Sequence, residues 1–175
     1  MKAHTLKPGS RAAVMVACLL VGLQSTAPAA AQTPPTTLTP PASPTRAVDA
    51  DGFIPRWLLL EPLAANGLTD SAVQAAVKQE TFATQMAVMP HDGDTLTAGD
   101  VTLTWHAVDT RNYNVNLFHF ARALGKKTSD VVFWAVTIVD SPREMHDVRL
   151  AIGSNAASVW WMNGEEVIGI YGDRQ

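Results

Sequence analysis

The residues whose types could carry chemistry are one serine in a glycine turn, four of the five histidines, those from His91 onward, two carboxylate pairs and a cluster of tryptophans. Ser154 follows Gly153, and a serine becomes an acyl nucleophile when a histidine takes its proton and backbone amides hold the oxyanion. The Gly-x-Ser-x-Gly elbow that often presents such a serine does not occur: Ser154 runs into Asn155 and Ala156, the pattern of a turn serine. His91, His106, His119 and His146 have none of the spacings of a zinc helix or finger, so no metal is assigned to them. Asp92-Gly93-Asp94 puts two carboxylates on one turn, the ligand type that calcium takes, but a calcium loop needs more oxygen ligands in fixed order and a plain turn is expected. Glu165 and Glu166 are adjacent, so on a strand they point to opposite faces and cannot be the paired acids of a glycoside hydrolase. No catalytic residue, metal or cofactor is expected.

The aromatic residues remain. Sugar rings present flat C–H faces that stack on tryptophan or tyrosine while their hydroxyls bond to nearby polar groups. Trp160 and Trp161 are consecutive on an expected strand and must face opposite ways; Trp161 shares a face with Val159 and is expected inside, leaving Trp160 accessible. Trp160, with Asn155, Asn163 and Tyr171, is therefore the expected ligand-binding set.

These residues need strands to position them. Asn163-Gly164 is the strongest hairpin signal, since both residues tolerate the positive φ of a type I′ turn, and it joins Ser158–Met162 to Glu165–Ile170. Val131–Val139 is β-branched and aromatic and apolar on both faces, as a central strand requires. Val148, Leu150 and Ile152 suggest a further strand, and Val101, Leu103, Trp105 and Ala107 alternate with polar residues, placing Trp105 inward and His106 outward. Tyr113, Val115 and Leu117 also alternate, although Phe118–Leu124 fits a helical turn equally well. Arg56–Glu61 reads as a buried first strand ended by Pro62, and Thr69 or Asp70 caps a short helix with Ala72, Val73, Ala76 and Val77 at helical spacing, expected to be the main helix of the chain.

Ahead of these elements lies a different composition. Lys2, Lys7 and Arg11, an apolar run from Ala12 to Leu23, and small residues ending at Ala29–Ala31 have the three-part pattern of a cleaved signal peptide over residues 1–31, predicting export to the periplasm or the extracellular space. The run is about a dozen residues, short of the roughly 20 of a spanning helix, so no transmembrane segment is expected. Reading Cys18 instead as a lipid-carrying cysteine leaves too short an apolar run before it. Residues 32–50, rich in Pro and Thr, form an expected disordered linker. Removing 1–31 takes away the only cysteine and leaves ten basic against sixteen acidic side chains, a formal charge of −6 that argues against nucleic acid as a partner. The domain, 51–175, must hold together by its core alone.

Taken in order, Trp57-Leu58-Leu59-Leu60-Glu61-Pro62, the loop at Pro90–Asp94, Gly99 before Trp105, the strand at Val132–Val139, Gly153-Ser154-Asn155, and Val159-Trp160-Trp161-Met162-Asn163-Gly164 resemble the galactose-binding-like jelly-roll modules of secreted bacterial carbohydrate-active proteins. The resemblance spans most of Phe53–Arg174, and its sharpest motif is Trp161–Gly164. It implies an all-β sandwich of jelly-roll type that binds a polysaccharide or other glycan as a non-catalytic accessory module. Two alternatives accompany it: acetyl xylan esterase, a label carried by similar proteins, and a structural or protein-interaction sandwich. Asn155 and Ala156 stand where that family usually has an acidic pair, which argues against a loop metal there. Such modules also continue past the hairpin into a further strand. Counting about seven strands where a jelly roll has eight, the chain is expected to be a shortened member whose inner strand lacks a neighbour.

Overall fold

The computed structural model describes residues 4–20, 41–65, 70–110 and 114–171. The fold is mostly β, and every strand pairing in it is antiparallel. In chain order the strands are β1 (His4–Leu6), β2 (Arg11–Leu20), β3 (Arg56–Leu60), β4 (Leu63–Ala64), β5 (Thr95–Ala98), β6 (Val101–Asp109), β7 (Val131–Asp140), β8 (Met145–Val148), β9 (Ala157–Met162) and β10 (Glu165–Ile170). Two helices join them, α1 (Asp70–Lys78) and α2 (Leu117–Ala123). Hydrogen bonds link eight strands in the order β10-β9-β2-β7-β3-β6-β5, with β4 also on β7, while β1 and β8 form a separate pair.

Both faces of the large sheet are covered, which explains why β7 carries apolar residues without alternation: Val131 through Thr137 are all buried. On the first face Trp105, Trp134 and Trp161 gather with Leu60, Val132, Val136 and Val159 beneath Val77 of α1 and Phe82 of the segment after it. Trp134 and Trp161 stack, with centroids 5.7 Å apart and planes 25° apart, and Phe82 meets Trp105 and Trp134 edge-on. On the second face Val16, Trp57, Leu59, Phe133 and Ala135 pack against Phe120 and Ala121 of α2.

The apolar run expected as the core of a signal peptide is where sequence and structure differ most. Arg11–Leu20 forms β2, pairing along its whole length with β7, from Arg11 opposite Asp140 to Leu20 opposite Val131, and with β9 from Val14 opposite Met162 to Leu19 opposite Ala157. Ala12, Val14, Met15, Val16, Ala17 and Cys18 are all buried, and burial pushes the Cys18 thiol up to about 12. The expected cleavage region at Ala29–Ala31 and residues 32–40 of the expected linker lie outside the described residues. The neighbour that the strand count left missing is thus supplied from the N-terminal side.

Smaller differences have local causes. Where alternation suggested a strand through Leu117, a second helix starts instead, because the Asn116 side chain accepts the His119 amide hydrogen at 2.9 Å and caps it. Leu117, Phe120, Ala121 and Leu124 then share the face turned to the sheet. The strand expected over 148–152 ends at Val148, since β8 pairs only with the three-residue β1. Among the described residues no helix is long and apolar enough to cross a membrane.

Candidate functional site

The β9–β10 hairpin presents most of the expected ligand-binding residues. Its turn has the anticipated form, Asn163 at φ 51° and Gly164 at φ 82°. The Asn163 side chain, however, is already engaged: its Oδ1 accepts the Ala13 amide hydrogen at 3.0 Å, while the Asn163 backbone N–H donates to the Ala13 carbonyl at 2.9 Å. Asn163 therefore ties the hairpin to β2.

Alternation along β9 turns Trp161 into the first face and Trp160 to the second, as expected. Trp57, Trp105, Trp134 and Trp161 are buried, and Trp160 alone of the five tryptophans keeps an accessible part. Its ring is held at two points. Trp57 meets it edge-on at 6.1 Å, and its Nε1 donates to Ser158 Oγ at 3.1 Å.

Tyr171 belongs to the opposite face. Its hydroxyl donates to Glu166 Oε1 at 3.1 Å, and Lys78 of α1 lies 5.5 Å from its ring centroid while bridging Glu166 at 2.8 Å. That contact holds the Glu166 carboxyl below its ordinary range and raises the Lys78 ammonium, each through its hydrogen bond to the other first. The ring also lies over Gly169, where a Cβ would collide with it. Asn155 is exposed in the turn before β9. The four residues thus do not converge: Trp160 stands on the second face, Tyr171 on the first, Asn163 is tied to β2, and Asn155 sits in a separate loop.

Ser154 is a turn serine. Its hydroxyl donates to the Ala156 carbonyl at 2.8 Å and accepts the Ala156 amide hydrogen at 3.2 Å. Asp92 and Asp94 are turn acceptors, taking the amide hydrogens of Ala107 and His91 at 2.7 Å each. Among the described residues no three His, Cys, Asp or Glu side chains gather as a metal site would require.

One polar cluster escaped the sequence reading. Glu61, buried at the end of β3, accepts from Lys126 Nζ at 3.2 Å on one oxygen and faces His106 Nε2 at 3.6 Å with the other. His106, expected to face water, lies on the covered second face with its ring edge-on to Phe120 of α2. Its outward direction was legible, but the helix lying over it was not. The only sequence signal for the cluster is Glu61 itself, a lone charge ending the apolar run Trp57–Leu60. Among the described residues no hydroxyl bonds to either Glu61 or His106, so the arrangement joins β3, β6 and the segment after α2 without an activated nucleophile.

A cleft of about 460 Å³ opens between β4, α1 and the β5–β6 turn, lined by Leu63, Ala65, Ala76, Gln79, Thr81 and Val132. None of the expected ligand-binding residues lines it. No family model matches the chain, and neither a curated protein nor a solved structure does.

Proposed function

We propose that the chain is a non-catalytic glycan-binding or accessory module of an exported carbohydrate-active protein, related to the galactose-binding-like jelly rolls. The observation that carries this reading is Trp160. A stacking platform needs an aromatic face that keeps some contact with solvent and whose orientation is fixed before the ligand arrives. Trp160 has both, through its partial exposure and its anchorage by Trp57 and Ser158. The set that recognises the ring is correspondingly reduced to Trp160, with Asn155 as the free amide nearest it along the chain. Export supplies the setting, and the basic, apolar and small-residue order of 1–31 supports it.

Titration against xylan and other plant or bacterial polysaccharides tests the reading. The unmodified protein is expected to be retained, Trp160→Ala to lose about tenfold or more in affinity, and Trp160→Phe to keep most of it. Absence of retention on every polysaccharide rejects the reading. Release of acetate from acetylated xylan, lost in Ser154→Ala, would favour the esterase instead; the closed Ser154–Ala156 turn supports the opposite result.

A second reading, a protein-interaction domain, is favoured by the way the sheet is completed. Its inner strand β2 comes from outside the segment, Arg56 to Ile170, that builds the remainder of that sheet.

A further inference from the structure

We infer that the space held by Arg11–Leu20 is a strand-acceptor slot, and that once the N-terminal segment is removed in export the slot receives an extended, uncharged apolar strand from a partner chain. The inference rests on the export reading and on the protein-interaction reading above.

The slot is defined by its walls. β7 and β9 each run antiparallel to β2, so they are parallel to one another and stand two strand spacings apart, roughly 9.5 Å. Without the strand between them, ten residues of β7 lose their partners on that side. The β9–β10 hairpin then keeps no ladder bond to the other large-sheet strands, because β9 pairs only with β10 and β2. β7 is buried on both faces from Val131 to Thr137 and β9 from Ala157 to Val159, so the slot cannot be left to water at low cost.

The occupant's chemistry follows from what lines the slot. β2 carries no charge after Arg11, and both of its faces are buried. Position 17 must be small: Ala17 lies between Trp134 and Val159, on the face where the Trp134 and Trp161 rings stack across the strand. Positions 14 and 16 accept branched apolar side chains. A partner segment of about ten residues with this pattern would be recognised mainly by main-chain hydrogen bonds, as in strand addition generally.

The test uses the full chain with a protease site placed within residues 32–40 and cut after folding. The N-terminal fragment is expected to co-elute with the remainder on gel filtration, and a labelled synthetic peptide of residues 10–21 to exchange into the slot at one copy per molecule. A peptide carrying Val16→Pro, which removes a donor and clashes in the ladder, is expected to bind more than about tenfold worse. Loss of the fragment with the remainder still monomeric and unchanged in its melting would overturn the inference, as would failure of the labelled peptide to exchange at any denaturant concentration short of unfolding. Sequencing the N-terminus of the exported protein tests the export reading separately. A start after Ala31 places the slot open for a partner, whereas retention of Met1 removes the need for one and defeats the partner clause even if the peptide exchanges.

Discussion

Ala17→Asp is expected to remove most of the stability of the unprocessed chain. Ala17 has no exposed surface and stands between Trp134 on β7 and Val159 on β9, so an introduced carboxylate would meet apolar groups on both sides and find no cation. A buried, unpaired charge either stays ionised at a large desolvation cost or protonates and leaves a hydroxyl without a partner. About 3–5 kcal/mol is the scale of such a change, against about 5–15 kcal/mol for a whole domain. Thermal melting of chain produced without export should show a midpoint lowered by roughly 10 °C or a transition lost altogether. Lys7→Asp, in the exposed turn before β2, is the matched control and should change little. An unchanged midpoint for Ala17→Asp would mean that β2 contributes nothing to the fold.

The second large effect is expected at Trp134. It is 1% exposed and stacks on Trp161 across β2, with Phe82 packed edge-on against it from the covering layer. Trp134→Ala therefore empties the point where β7, β9 and the covering layer meet, at a cost of about 3–5 kcal/mol. Trp134→Phe should behave differently. Among the described residues the Trp134 Nε1 has no hydrogen-bond partner, so phenylalanine removes an unpaired buried donor together with part of the ring. The two changes oppose each other, and Trp134→Phe should fall within about 1.5 kcal/mol of the parent. Chemical denaturation of the three proteins side by side checks both values. A phenylalanine variant as unstable as the alanine variant would show that the indole nitrogen is satisfied after all.

These effects bear on what a sequence can disclose. The β9–β10 hairpin was legible because Asn163-Gly164 demands one turn geometry, and the facing of Trp160 and Trp161 followed from a period of two. β7 was legible for a different reason, being long and β-branched with Trp134 and Phe133 on opposite faces. β2 was not, because Arg11-Ala-Ala-Val-Met-Val-Ala-Cys-Leu-Leu satisfies two physical demands at once. A leader's apolar core and a strand buried on both faces are both short, uncharged and without polar alternation, so periodicity cannot separate them. The engagement of Asn163 was hidden for a related reason: a turn asparagine looks available until the strand whose amide hydrogen it accepts is known to lie beside it. Likewise Tyr171 could be placed on a strand end, but its capture by Glu166 and Lys78 depends on α1 lying across that end.

Amide hydrogen exchange on the unprocessed chain tests most directly whether Arg11–Leu20 is an inner strand of the sheet, between β7 and β9. The amides of residues 12–19 should be slowed together with those of 131–139, by at least about a thousandfold relative to an unfolded peptide. Exchange of 12–19 at the unfolded rate, with 131–139 still protected, would contradict the account.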